Sequence, residues 1–380
     1  MDLHLLLKFQ CFILLLCLHL ASAAEIPMIN VSRIITKPGC QDMCGNVSIP
    51  YPFGIGDGCF IDYWFEIVCN DTLPGNTRPV YGVDLDVLDI SVVSGEMTTS
   101  LAVVTNCSDP SIQTNNHFNG AHFNKFTFSS TKNKFIAIGC DTLAYIVGKG
   151  YNSSVGTGCM SYCNKLEDTT DGICNGVGCC EASIPSGLMS YETNLKSMYD
   201  PRKNLIFNPC SYAFLAERSS FNFSKSYLKN FKNHGTLTVP VVVDWTIGNK
   251  TCEAAQRNFR SYACGPNTDC IPAASSDVEG YRCRCITGYE GNPYLNSSTG
   301  GHCQDIDECQ RSLHNCAKGP GNICINIKGS YNCSCSNGYI ADVRNNITDC
   351  LLFQSHLPGT PSTQDNNLGK IAVGKCQQWL

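Results

Sequence analysis

Cysteine constrains this chain more than any other residue type. Leaving aside Cys11 and Cys17 in an apolar leader, 25 of the 27 cysteines remain, and they fall as four groups of six with Cys376 left over. The groups are Cys40 to Cys140, Cys159 to Cys210, Cys252 to Cys303 and Cys309 to Cys350. Even sets at compact spacing predict disulfide modules in an oxidising compartment, because a cytosolic chain could not keep so many thiols unpaired. Zinc is the competing reading of cysteine clusters, but zinc sites favour paired short spacings, often with histidine, and a reducing compartment.

The N-terminus agrees. Phe9 to Leu20 is apolar, and Ala21-Ser22-Ala23 has the small-x-small pattern of a cleavage site, so residues 1–23 are expected to be a signal peptide. Ten Asn-x-Ser/Thr sequons follow, at Asn30, Asn46, Asn70, Asn106, Asn152, Asn222, Asn249, Asn296, Asn332 and Asn346, which predicts a glycosylated, secreted surface. A formal net charge of −5 without a basic stripe argues against a nucleic-acid partner. Outside the leader there is no apolar stretch of about 18 residues, so no membrane span is expected in this chain.

Two modules stand near the C-terminus. From Cys252 the half-cystines are separated by eleven, five, twelve, one and seventeen residues, and from Cys309 by six, seven, eight, one and fourteen. The single-residue steps, Cys283-Arg284-Cys285 and Cys333-Ser334-Cys335, put two cysteines on one face of a strand. With Gly288-Tyr289 and Gly338-Tyr339 between the fifth and sixth cysteines, both resemble epidermal-growth-factor-like (EGF-like) domains. The resemblance implies the pairings Cys252–Cys270, Cys264–Cys283, Cys285–Cys303, Cys309–Cys324, Cys316–Cys333 and Cys335–Cys350.

Asp305-Ile306-Asp307-Glu308 leads into the second module, Asn326 follows its third cysteine and Tyr331 precedes Cys333, which is similar to the calcium-binding form of that domain. The resemblance implies calcium held by the side chains of Asp305, Glu308 and Asn326 and by carbonyls of Ile306, Ile327 and Ser330, with Asn326 a candidate for hydroxylation. Such hard oxygen donors are what calcium requires. The first module has Ile247-Gly248-Asn249-Lys250-Thr251 before its first cysteine and Pro272 at the position matching Asn326, so one calcium site is expected rather than two.

Residues 24 to about 250 read as β-rich. Val83, Leu85, Val87 and Ile90 intersperse with aspartates, and Val239 to Trp245 is another strand candidate. Phe126 to Ile138 reads as a hairpin about Ser129-Ser130-Thr131, and Cys210 to Arg218 is the best candidate for a helix. Cys44-Gly45-Asn46-Val47-Ser48-Ile49-Pro50-Tyr51-Pro52-Phe53-Gly54 resembles the start of the galacturonan-binding domain of plant wall-associated kinases. Gly178-Cys179-Cys180-Glu181, Cys210-Ser211-Tyr212-Ala213-Phe214, Val239 to Trp245 and Gly291-Asn292-Pro293-Tyr294-Leu295 are similar to later parts of the same family.

The expected class is therefore mainly β, disulfide-rich and multidomain. A galacturonan-binding domain spans residues 36–145, a family-specific cysteine-rich domain 146–250, EGF-like modules 251–303 and 305–350, and a linker with a truncated tail 351–380.

The family resemblance implies an extracellular ectodomain that binds cell-wall pectin and oligogalacturonides. Between Glu25 and Gly150, however, twelve acidic residues oppose seven lysines and arginines, so a polyanion would need a local basic patch or bridging calcium. Lys125, Lys132, Lys134 and Lys149 are the candidate patch, with Tyr51, Phe53 and Tyr63 as candidate stacking faces. His117 and His122 are a weaker pair of candidate ligands. No nucleophile elbow or kinase signature is present, so the chain is not expected to be an enzyme. The alternative function is a secreted, calcium-dependent adhesion or adaptor protein that binds another extracellular protein through its EGF-like pair.

Overall fold

The computed structural model describes residues 35–71, 77–108, 120–150, 153–198, 206–231, 238–273, 279–344 and 347–353. The leader, the tail with Cys376, His117, Asn30, Asn152 and Asn346 lie outside the described residues. Among those described, no helix is long and apolar enough to cross a membrane. The chain divides into two units, Met1–Asp305 and Ile306–Leu380.

Three antiparallel sheets of four or more strands, with smaller two-stranded ones, build the described part of the first unit. Six strands form one sheet, in the order Ile67–Asn70, Arg78–Tyr81, Leu85–Ser91, Glu96–Ala102, Thr238–Asp244 and Thr127–Phe128. A second runs Cys179–Ala182, Asn133–Ile138, Cys210–Glu217 and Val104–Cys107, and a third Ser154–Tyr162, Asp141–Lys149, Ser190–Lys196 and Gly120–His122. The alternation in Glu96–Ala102 puts Met97, Thr99 and Leu101 inward. In Leu85–Ser91 both Val87 and Ile90 are buried although three positions apart. A bulge between Val87 and Asp89 supplies the extra residue and leaves Leu88 at the surface.

Three expectations are corrected. Cys210–Glu217 is a strand, not a helix: Tyr212, Phe214 and Ala216 face one apolar cluster while Ala213 and Leu215 face the other. A strand covered on both faces reads as a continuous apolar run, which periodicity cannot separate from a buried helix. Phe126 to Ile138 is not a hairpin either. Thr127–Phe128 pairs with Thr238–Asp244, whereas Asn133–Ile138 pairs with Cys179–Ala182 and Cys210–Glu217 in another sheet. The turn at Ser129, closed by the Asn133 amide donating to the Ser129 carbonyl at 3.0 Å, switches sheets.

The third concerns the first twelve cysteines, which do not close as two sets of six. Cys40–Cys59 and Cys44–Cys69 are local, but Cys107–Cys210 and Cys140–Cys163 cross between the groups. Interleaved strands explain this, since Cys107 and Cys210 are direct cross-strand neighbours. The expected boundary at 145/146 falls inside the strand Asp141–Lys149.

Cys179 and Cys180 are adjacent on a strand and so point to opposite faces. Cys179 joins Cys174 on the side of one cluster, and Cys180 joins Cys159 on the side of the other.

The first EGF-like module, bridged by Cys252–Cys270, Cys264–Cys283 and Cys285–Cys303, belongs to this unit and is docked into it. Asn292 donates from Nδ2 to the carbonyls of Ile35 at 2.9 Å and Tyr51 at 2.5 Å. The Tyr294 ring lies 5.8 Å from Trp245, and its hydroxyl accepts from the Cys283 amide at 2.8 Å. Arg282 donates to the Ser94 carbonyl. The second unit contains two hairpins, Asn322–Ile327 with Ser330–Cys335 and Tyr339–Arg344 with Ile347–Leu352. Its bridges are Cys309–Cys324, Cys316–Cys333 and Cys335–Cys350. At roughly 2–4 kcal/mol each, three bridges matter in a module too small for a large core.

Two outcomes follow from this packing. Asn292→Ala removes a buried donor from two carbonyls, and thermal unfolding of the secreted protein should show a loss of about 2–4 kcal/mol. The same change at the exposed Asn296 should cost far less.

Asp244 lies opposite Glu96, with Ser129 hydrogen-bonding to it and Lys132 and Arg282 nearby. Burial, reinforced by Glu96, pushes its carboxyl up to about 6 from 3.8. The folded protein therefore holds this proton more tightly than the unfolded chain does. The stabilising contribution is intact below 3.8 and is lost as pH rises through about 6. Asp244→Asn should flatten that decline and raise stability near neutral pH by on the order of 1–2 kcal/mol, read from denaturant titrations across this window.

Candidate polysaccharide cleft and calcium site

A short 3₁₀ turn, Tyr63–Phe65, decides which aromatics reach the surface. Asp62 caps it, its Oδ1 accepting from the Trp64 amide at 3.0 Å. Phe65 is fully buried against Phe53, Phe126 and Trp245, and this anchor turns Tyr63 outward while Trp64 stays half-buried against the core. Their rings lie 4.1 Å apart, tilted by 36°, with Tyr63 65% exposed. They stand on a cleft of about 920 Å³ that also takes in Arg78, Tyr81, His122 and Asn124. Glu66, Asp84 and Asp86 line it too, so carboxylates outnumber the single guanidinium. Arg78 is already paired with Asp86 and lies 3.6 Å from Asp84. His122 Nε2 shares a 2.6 Å hydrogen bond with Asn124 Oδ1.

Of the candidate stacking faces, Tyr63 is at the cleft, whereas Phe53 is fully buried and Tyr51 nearly so. Neither can lie under a sugar: Phe53 belongs to the aromatic core, and Lys37 Nζ sits 4.7 Å over the Tyr51 ring.

The four candidate lysines do not act as one patch. Lys125 donates to the Gly248 carbonyl, and burial lowers its pKa while Asp62 opposes that shift. Lys132 lies 3.8 Å from Glu96, and Lys134 is 2.8 Å from Glu181 with its side chain largely buried. Lys149 is exposed at the end of a strand in the third sheet. Arg78, Trp64 and Asn124 were missed as cleft residues. One signal was available: Arg78 is the only lysine or arginine between Lys37 and Lys125.

Candidate calcium ligands occupy the start and the first hairpin of the second unit, apart from Asp305, the last residue of the first unit. Glu308 is 8% exposed, and its Oε2 is buried with no hydrogen-bond partner among the described residues. Its amide donates to the Ile306 carbonyl at 3.1 Å, and its carbonyl accepts from Leu313 at 2.9 Å. In the hairpin register Asn326 faces Tyr331 and Ile327 faces Ser330. Tyr331 is fixed by its hydroxyl, which donates to Asn315 Oδ1 at 2.8 Å.

A buried carboxylate oxygen without a donor is costly unless a cation meets it, and carboxylate, amide and carbonyl oxygens suit calcium. The residues therefore fit the ion. His314, Cys316 and Cys324 also approach one another, but both cysteines are in disulfides and offer no thiolate. In the first module the corresponding entry is different: Thr251 caps the short helix Cys252–Gln256. Glu308→Gln should remove calcium binding to the secreted protein in titration calorimetry, while Asp307→Asn, whose Oδ1 accepts from Gln310, should weaken it less.

Of the sequons within the described residues, Asn46, Asn106, Asn222, Asn249, Asn296 and Asn332 are exposed and Asn70 is half-buried.

Residues 40–101 match the wall-associated receptor kinase galacturonan-binding domain, and residues 305–350 match the calcium-binding EGF domain. The chain is similar to wall-associated receptor kinase 2 of Arabidopsis thaliana, with 37% identity over 81% of this chain and 40% of the relative. Wall-associated receptor kinase 5 of the same plant is 36% identical over 89% of this chain and 42% of the relative, and kinase 1 is 34% identical over 80% and 40%. The chain thus spans about two fifths of the length of the curated relatives it matches.

Proposed function

The chain is a wall-associated-receptor-kinase-like ectodomain, and on that premise we propose that it binds galacturonan outside the cell through the cleft at Tyr63 and Trp64. The observation that carries this reading is the position of the aromatic pair. Both rings lie within the segment matched to the galacturonan-binding domain, and both line the cleft that also takes in Arg78, Asp84 and Asp86. Sugar rings present C–H faces that stack on aromatic surfaces, and the exposed Tyr63 ring, backed by Trp64, offers such a surface.

Charge decides how a uronate polymer would enter. Glu66, Asp84 and Asp86 repel a bare polyanion, and Arg78 is occupied by its aspartate neighbours. Calcium between protein and ligand carboxylates converts that repulsion into attraction, so the cleft favours the calcium-loaded polymer. In the second unit Glu308 and Asn326, with carbonyls of Ile306, Ile327 and Ser330, would hold a separate structural calcium. When bound, that ion supplies the positive charge that the buried Glu308 oxygen lacks.

The corresponding role is cell-wall sensing at the cell surface by the receptor of which such an ectodomain forms part. Retention of the secreted protein on immobilised polygalacturonate tests it. Tyr63→Ala with Trp64→Ala should weaken retention about tenfold or more, and chelation should release the unmodified protein. Retention unchanged by the double substitution would exclude this cleft. Glu308→Gln should leave calcium-dependent retention in place, separating the two calcium roles.

A further inference from the structure

The cleft does not end at His122. Gly120, Ala121 and His122 also line a second cavity of about 740 Å³, which continues past Lys149 and Ser190. That cavity opens onto the outer face of the four-stranded sheet ordered Ser154–Tyr162, Asp141–Lys149, Ser190–Lys196 and Gly120–His122.

Register fixes which side chains share this face. Lys149 lies opposite Ser154 and Ser190, Val147 opposite Gly156 and Glu192, and Tyr145 opposite Gly158 and Asn194. Leu143 lies opposite Lys196, whose Nζ is 5.9 Å from the Tyr145 ring centroid. Both lysines are exposed, as is half of Val147.

The face is shaped as well as charged. A Cβ at Gly158 would stand 2.6 Å from Tyr145 Cβ, so glycine there lets the two strands carry the Tyr145 side chain, with Lys196 Nζ over its ring. The result is a shallow floor with an aromatic between two ammonium groups. Six strand residues separate Lys149 from the level of Lys196, or roughly 20 Å at 3.3 Å per residue. Asp141, the acidic residue at the far end, is engaged by the Met198 amide at 3.0 Å and by the Ser197 hydroxyl. Glu192 is then the main opposing charge.

We infer that this sheet face is a second, extended subsite for an anionic polysaccharide, a track along which a uronate chain seated in the cleft continues over His122, Lys149, Tyr145 and Lys196. The inference rests on the galacturonan reading of the cleft and adds a length requirement to it. The wall that the two cavities share at Gly120, Ala121 and His122, followed by the sheet face that carries Tyr145 and Lys196 beyond the second cavity, supplies the path, and lysine–carboxylate complementarity, with no calcium needed, supplies the ligand class. None of the track's residues beyond His122 falls in the matched segment 40–101.

The test compares a short galacturonate trimer with a long oligogalacturonide in calorimetric titrations of the full secreted chain. The unmodified protein should bind the long oligomer about tenfold or more tightly than the trimer. Lys149→Glu with Lys196→Glu should erase most of that difference and leave trimer affinity unchanged, and Tyr145→Ala should do so in part. Because these side chains are at the surface, unchanged thermal unfolding should accompany the loss. A length preference that survives in the double variant overturns the track while leaving the cleft reading intact. Failure of the unmodified protein to bind either ligand overturns both.

Discussion

Phe53, Phe65, Phe126 and Trp245 meet largely edge to face, with ring centroids 4.9 to 6.1 Å apart, and distant parts of the chain converge on them. Phe53 and Phe65 come from the N-terminal cystine loops, and Trp245 follows the strand Thr238–Asp244. Tyr294 of the first EGF-like module adds its ring against Trp245. Edge-to-face contacts add about 0.5–1.5 kcal/mol per pair beyond the area they bury. Here they do more than stabilise. Phe65 is the last residue of the turn that carries Tyr63 and Trp64, so its burial sets the direction in which the exposed Tyr63 ring points. The position of the cleft is therefore a consequence of the core.

A second constraint acts through the sheet of Cys179–Ala182, Asn133–Ile138, Cys210–Glu217 and Val104–Cys107, which is covered on both faces. Phe135, Ala137, Ala213 and Leu215 face one cluster, while Ile136, Ile138, Tyr212 and Phe214 face the other. Bridges from the neighbouring Cys179 and Cys180 leave this sheet in opposite directions. Such a sheet cannot be cut into an early and a late domain, because strands from both halves alternate within it. The first EGF-like module is likewise tied in, through Asn292 to the carbonyls of Ile35 and Tyr51.

The β-rich, disulfide-stapled character was legible because cysteine spacing and alternating strands are local signals. Val239 to Trp245 read as a strand and is one over Thr238–Asp244. Local signals failed where the answer depends on what lies across a sheet. Ala213-Phe214-Leu215-Ala216 looks helical until both of its faces are known to be covered. Ser129 looks like a hairpin turn until its flanking strands are found in different sheets. The same limit applied to the aromatics: Tyr51, Phe53 and Tyr63 are alike in sequence, yet only the capped turn separates an exposed ring from buried ones. Clustering of lysines along the chain also failed as a guide, because each of Lys125, Lys132 and Lys134 is beside its own carbonyl or carboxylate.

Electrostatics connects these observations. A net acidic chain is an awkward receptor for a polyanion, and on the proposed galacturonan reading uniform basicity is not what the fold would use. The cleft keeps its carboxylates around one guanidinium, an arrangement that, under the proposed function, would disfavour bare uronate and favour uronate carrying a divalent ion. The sheet beyond His122 presents ammonium groups on a flat floor, where charge pairing is direct and is screened by salt. A ligand able to meet both must be long, partly calcium-loaded and free of bulky substituents where it crosses the glycines opposite Tyr145 and Val147. Those are properties of a polymer segment rather than of a free sugar, so recognition of this kind depends on the state of the chain as well as on its chemistry.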